Sequence, residues 1–156
     1  MRASKCKQAD YQERFTALVI NQANQSTCDR RHVGALIVSS RGEILSMSSN
    51  GAIGGLPGCT DEHFSIGSGA VKNGCIHAEV KAIGAAAQEG LSTRDSSIYV
   101  TCAPCYACAH VIIASGITHV FYIDEYDKSG IELLEHANIS VHRLQGTESS
   151  GITKRS

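Results

Sequence analysis

Residues 9–24 (ADYQERFTALVINQAN) place Phe15, Leu18 and Val19 at helical spacing, which predicts an amphipathic helix with Asp10 near its start as a cap. Two β-rich runs follow, 33–39 and 43–48, on either side of a Ser-Arg-Gly turn, and together they read as a hairpin. Residues 49–76 are rich in glycine and have no clear period; a stretch of that length in a compact domain is either functional or held by something else. Periodicity then returns. A helix over 77–89 (HAEVKAIGAAAQE) ends at Gly90, and a strand over 97–101 precedes a helix from Pro104 to Ser115 stopped by Gly116. Strand 118–123, helix 129–137 and strand 139–143 complete the pattern. The polar end, QGTESSGITKRS, predicts a loose tail over 145–156 after a domain over 1–144.

This order is a helix, a hairpin, then alternating helix and strand. It predicts the α/β class: a three-layer α/β/α arrangement with a five-stranded mixed sheet and helices on both faces. The hairpin must be antiparallel, whereas the later strands, each separated by a helix, are expected to run parallel.

Composition narrows the function. The chain has 156 residues, enough for one domain with a genuine core, and a net charge of −1. Its charges are mixed, with no basic stripe to neutralise a phosphate backbone, so a large nucleic-acid partner is not expected. No apolar run approaches the roughly 18 residues that would span a bilayer. The start, MRASKCKQADYQERF, is too polar for a secretory signal, and a cytoplasmic location is expected. In that reducing compartment the seven cysteines point to metal or catalysis rather than disulfides. Cys6 and Cys102 read as small buried apolar residues.

The candidate chemistry lies in TCAPCYAC at 101–108 and IHAE at 76–79. Cys105 and Cys108 fall on one side of a helix's first turn, and Pro104 suits a helix start because its missing N–H would be unpaired there anyway. The positive end of that helix favours ionised thiols, and thiolates joined by an imidazole suit zinc. His77 opens the preceding helix. In parallel α/β units successive helix starts share one sheet edge, so His77 can reach the cysteines across 28 positions. Three protein ligands leave a fourth position open, as in a catalytic zinc site. Residues i and i+2 diverge by roughly 200° on an ideal helix, so Glu79 can share this centre only if the first turn is arranged for it. A structural zinc knuckle, with Glu79 merely a favourable acid in the first turn, is the competing reading.

His-x-Glu followed by Pro-Cys-x-x-Cys is the signature of zinc-dependent nucleobase deaminases. There zinc lowers the pKa of a water to about 7, and a non-ligand glutamate moves the protons. Over about residues 9–143 the chain resembles the deoxycytidylate (dCMP) deaminase family within the cytidine deaminase superfamily. The matching pieces are STCDRRHVGALIV, NGAIGGLPGC, IHAEVKAI, YVTCAPCYACAHVIIASGI and VFYIDEYDKSG. The resemblance implies a cytidine-deaminase-like fold, a catalytic zinc on His77, Cys105 and Cys108, and Glu79 as proton shuttle. The implied reaction turns dCMP and water into dUMP and ammonia in a homohexamer that feeds thymidylate synthesis. It further implies that Asn50 holds the sugar or base, that the Ala78 and Ala103 region meets the base, and that Tyr126 lines the nucleotide pocket. Arg30 and Arg31 are candidates for the 5′-phosphate because guanidinium grips phosphate in a bidentate fork; a solvated basic loop is the bland alternative.

Some relatives hold a second, structural zinc, and Cys28, Cys59, His63 and Cys75 match its places. Closing the loop through metal would order a glycine-rich segment. Many members carry Gly-Tyr-Asn-Gly after the hairpin, associated with allosteric dCTP or dTTP and Mg2+. Here Ser48-Ser49-Asn50-Gly51 lacks the tyrosine and its stacking surface, so that control is not expected. Other substrates remain open: dCTP, a 5-modified dCMP, or tRNA adenosine, the last disfavoured by charge. Outside enzymes, a zinc-stabilised binding module is the alternative. His110, on the cysteine helix, reads as a helix-surface residue, and His32, His119, His136 and His142 have no paired ligands nearby in the sequence.

Overall fold

The computed structural model describes the backbone of residues 2–52, 64–66, 69–71 and 75–145, and the side chains of 10–52 and 75–145. Its elements are helix α1 (Arg2–Ala23), strands β1 (Gly34–Val38), β2 (Ile44–Ser49), β3 (Gly51–Ala52), β4 (Phe64–Ile66), β5 (Gly69–Val71) and β6 (Cys75–Ile76), then helix α2 (Ala78–Gln88). Strand β7 (Ser97–Cys102), helix α3 (Tyr106–Ala114), strand β8 (His119–Asp124), helix α4 (Ser129–His136) and strand β9 (Ser140–Arg143) follow.

The main sheet has five strands in the order β2-β1-β7-β8-β9. β1 runs antiparallel to β2 and to β7, while β7, β8 and β9 are parallel to one another. This is the expected mixed sheet, hairpin first and crossover strands after it. Two short pairs, β3 with β6 and β4 with β5, lie within the stretch that showed no period. Two- and three-residue strands are too short to declare themselves by alternation.

Alternation along the strands divides the core in two. Ala35, Ile37, Ile98, Val100, Val120 and Tyr122 face one side, where they pack with Ala82 of α2, Ile112 of α3 and Leu134 of α4. Leu36, Val38, Tyr99, Phe121 and Ile123 face the other and pack with Phe15 and Val19 of α1. The result is one helix on one face and three on the other, the three layers expected. The Tyr99 and Phe121 rings stack with centroids 4.5 Å apart, joining neighbouring strands beneath α1.

Three local expectations need correction. α1 begins at Arg2, so Asp10 sits inside the helix rather than capping it; residues 2–9 contain neither Gly nor Pro to break it. Leu18 is 37% exposed, because the buried stripe of α1 runs through Phe15, Thr16, Val19 and Ala23. α3 begins at Tyr106 with Cys105 as its N-cap, which leaves Pro104 in the connection before the helix. The proline's fixed φ serves an extended approach to the helix as well as a first turn. The tail 146–156 lies outside the described residues.

Candidate metal and catalytic site

α2 runs back along the sheet toward the start of β7, and α3 leaves from the end of β7. Both helix starts therefore meet at the edge formed by the carboxyl ends of β7 and β8, as open α/β sheets favour. His77 is the N-cap of α2, with extended backbone (φ −67°, ψ 150°) and no side-chain capping bond. That conformation resolves the angular difficulty: His77 lies outside the helix, so it and Glu79 need not obey helical spacing. Cys105 takes the same role at α3 (φ −70°, ψ 168°), and Cys108 lies in that helix's first turn.

His77 Nδ1 stands 3.3 Å from Cys108 Sγ and 3.6 Å from Cys105 Sγ. The three ligand atoms all lie within 4.8 Å of one another, and they form the one such group among the described residues. A tetrahedral zinc, with bonds of about 2.0 Å to nitrogen and 2.3 Å to sulfur, sets such ligands about 3.5 Å apart. The donor set and its spacing therefore fit zinc. Three protein ligands leave one coordination position, and the group faces a cavity of about 470 Å³.

Protonation supports the same assignment. Without metal, Cys105 is held as a thiolate, lowered to about 3, chiefly by a hydrogen bond from the Cys108 thiol and then by one from His77. Cys108, as donor to Cys105 and in a buried setting, is pushed far up. The bond to Cys105 also raises His77. A proton shared by two sulfurs beside an imidazole is what a divalent cation displaces on binding.

Glu79 is 4% exposed and lines the cavity. Burial pushes its carboxyl above the usual range, while the backbone at the helix start and His77 pull against that rise. A buried carboxyl with a raised pKa beside a metal group is suited to taking and giving protons near neutrality. Its burial shields it from solvent at the cavity wall.

The remaining sequence candidates fall partly together. Asn50, Ala78, Ala103, Arg30, Arg31 and Tyr126 all line the same cavity. Asn50 is anchored: its Oδ1 accepts from Ser26 Oγ at 2.6 Å and Val33 N at 2.8 Å, and its Nδ2 donates to the Arg31 carbonyl at 2.7 Å. It ties the 26–33 loop to the end of β2. The Ala103 N–H donates to the Asp124 carbonyl at 2.8 Å. The Arg31 guanidinium lies over the Tyr126 ring at 4.4 Å, a cation–π arrangement, and donates to Cys102 Sγ at 2.9 Å.

Cys28 and Cys75 also line this cavity, so two of the residues expected at a second zinc border the first site. Their proposed partners Cys59 and His63 lie outside the described residues. Sequence reasoning missed Cys102. It is buried, as expected, yet it also holds Arg31 at the cavity wall. Its place at the last position of β7, immediately before Ala103-Pro104-Cys105, was the available signal.

A mixed sheet carrying a His, Cys, Cys metal group beside a buried glutamate defines a zinc-dependent deaminase architecture. The sequence profile of the cytidine and deoxycytidylate deaminase zinc-binding region matches residues 9–124, and the chain belongs to that family. ComE operon protein 2 of Bacillus subtilis (strain 168) is 36% identical over 128 residues, covering 79% of this chain and 65% of that protein. The deoxycytidylate deaminase of Mycobacterium phage D29 is 34% identical over 128 residues, covering 74% of this chain and 96% of that enzyme. The chain thus spans just under two thirds of the first relative and nearly all of the second. Among solved structures, the dCMP deaminase of cyanophage S-TIM5 in complex with dCMP and dUMP superposes with a TM-score of 0.74 at 27% identity. That match covers 86% of this chain and 97% of the phage enzyme.

Proposed function

We propose that this protein hydrolyses dCMP to dUMP and ammonia. The observation that carries the proposal is the convergence of His77, Cys105 and Cys108 within 4.8 Å beside the buried Glu79, at a cavity large enough for a nucleotide. The phage D29 and S-TIM5 relatives, both named for dCMP, support the choice of substrate. In the reaction a bond forms between water oxygen and the amino-bearing ring carbon, and the bond from that carbon to the amino nitrogen breaks. When bound, zinc supplies Lewis acidity toward the water. Glu79 takes the water's proton and delivers protons to the ring nitrogen and then to the departing amine. The Ala78 and Ala103 backbone borders the base, Asn50 and Tyr126 the rest of the nucleotide, and Arg30 and Arg31 take the 5′-phosphate.

Three further readings belong to the proposal. Cys28, Cys59, His63 and Cys75 hold a structural zinc, supported by the shared wall position of Cys28 and Cys75; Cys59→Ser should lower zinc content, and equal content in both proteins would end the idea. Turnover needs no dCTP, since Ser49 stands where a tyrosine would stack. The enzyme is a cytoplasmic homohexamer serving pyrimidine nucleotide synthesis. No described helix is long and apolar enough to cross a membrane.

The deciding experiment compares dCMP, dCTP, CMP, cytidine and an anticodon-loop RNA as substrates, with and without dCTP as activator. Ammonia release fastest from dCMP, without activator, is the expected result. No release from dCMP alongside release from another member of the panel would replace the substrate assignment.

A further inference from the structure

The segment Ala103–Cys105 carries a metal ligand, yet it lies outside helix and strand. Two neighbours hold it. On one side the Ala103 N–H bonds the Asp124 carbonyl at 2.8 Å, at the end of the β7–β8 pairing, where Cys102 stands opposite Asp124. On the other side is the first turn of α4. Gly130 there is buried, and a Cβ on it would overlap the Pro104 carbonyl oxygen. That Cβ would also stand 2.9 Å from the Pro104 carbonyl carbon and 3.0 Å from that of Cys105. These are backbone atoms, which cannot swing aside as the end of a side chain can. The entrance to α4 is fixed as well, because Asp127 accepts from the Ser129 N–H at 2.9 Å and from its hydroxyl at 2.7 Å.

We infer that Gly130 is a positioning residue for the metal centre: the absence of a side chain lets α4 seat the Pro104–Cys105 peptide where the Cys105 sulfur meets His77 and Cys108. Cys105 is the N-cap of α3, so the peptide that carries it sets where its side chain starts. The Cys105 carbonyl accepts from the Ala109 N–H at 2.9 Å, and a shift of the peptide therefore disturbs the start of α3 and Cys108 together. A methyl at position 130 must move α4 or the metal-bearing peptide. Support of this kind typically governs about tenfold to a hundredfold in metal affinity. The inference rests on His77, Cys105 and Cys108 being the zinc ligands.

The test measures zinc affinity by chelator competition, the cobalt–thiolate absorption of the cobalt-substituted protein, and the circular dichroism of the chelator-treated protein. Cys105→Ser supplies the reference spectrum without this site's full thiolate set. Gly84→Ala is the control, because a Cβ there, inside α2, meets nothing within 4 Å. The expectation for Gly130→Ala is a loss of zinc affinity of about tenfold or more, an altered cobalt band and retained helix content, with Gly84→Ala like wild type. Wild-type affinity and an unchanged band in Gly130→Ala would overturn the positioning role. Wild type lacking any band that Cys105→Ser removes would instead overturn the ligand set. If Gly130→Ala does not accumulate as folded protein, Asp127→Ala loosens the α4 entrance without adding an atom. Weaker zinc binding in that variant supports the inference and unchanged binding overturns it.

Discussion

Where α2 opens on His77 in extended backbone (φ −67°, ψ 150°), α3 opens on Cys105 in nearly the same conformation (φ −70°, ψ 168°), and neither side chain caps its helix. The second functional residue follows two positions later in α2 and three positions later in α3. At +2 the chain delivers Glu79, buried and lining the cavity; at +3 it delivers Cys108, 2% exposed and 3.3 Å from His77 Nδ1. One backbone device thus gives two outcomes. On the proposed function, α2 would give one group to the metal and one to the proton, whereas α3 would give both to the metal. Once the first ligand stands outside the helix, the 3.6-residue period no longer dictates which neighbours can share its target.

The helices also differ in how they lie on the sheet. α2 buries Ala78, Ala82 and Ala86, so its backbone can come close; α3 buries Cys108, Ala109 and the larger Ile112. α2 is placed by absence of bulk and α3 by a side chain that fills space.

Glu79→Ala puts the contrast between the two helices under the most severe test. A proton shuttle predicts a fall in dCMP turnover of roughly 10²–10⁴-fold, with zinc content by elemental analysis unchanged. An unaltered rate would mean that α2, like α3, supplies only metal ligands. Cys108→Ala should do the opposite, removing both zinc and turnover, because two remaining ligands do not close a zinc site. Retained stoichiometric zinc at the catalytic site would dissolve the division of labour between the helices.

Stability effects come next. Ile112→Ala should cost about 2–5 kcal/mol in denaturant unfolding, since Ile112 is fully buried in the larger core. Ala82→Leu should cost about 1–3 kcal/mol by overpacking; a smaller cost than that would mean α2 does not depend on close approach. The smallest effect is expected beneath α1. Burial pushes the Tyr99 phenol up to about 12 from 10.0, so the folded protein keeps a proton that the unfolded chain releases. Its stabilising contribution is whole below pH 10 and is lost as pH rises from about 10 to about 12. Tyr99→Phe should flatten the decline in melting temperature across that window, and an unchanged slope would assign the decline to other groups.

Much of this was legible in the chain. The strand run 97–101 stops one residue short of β7, and 118–123 is offset from β8 by one residue at both ends. The gathering of His77, Cys105, Cys108 and Glu79 at one place was legible because metal chemistry restricts residue type and spacing. Leu18 was misplaced because three apolar residues define a stripe only loosely, and buried Thr16 is polar and gave no apolar signal. The grip of Arg31 by Cys102 and Tyr126 could not be read, since those residues lie 71 and 95 positions away (102 − 31 and 126 − 31) on other elements.

The α/β alternation, the His77, Cys105 and Cys108 group that fits zinc and a carboxyl close to it could all be read from the chain alone. These depend on local periodicity and on which atoms can bind zinc. The places of His77 and Cys105 outside their helices, the seat of Arg31 on Tyr126 and the lack of room for a side chain at Gly130 emerge only from the packed fold. Each of those is a contact or dihedral set by how distant backbones pack, and no short window of sequence carries a distance between two segments.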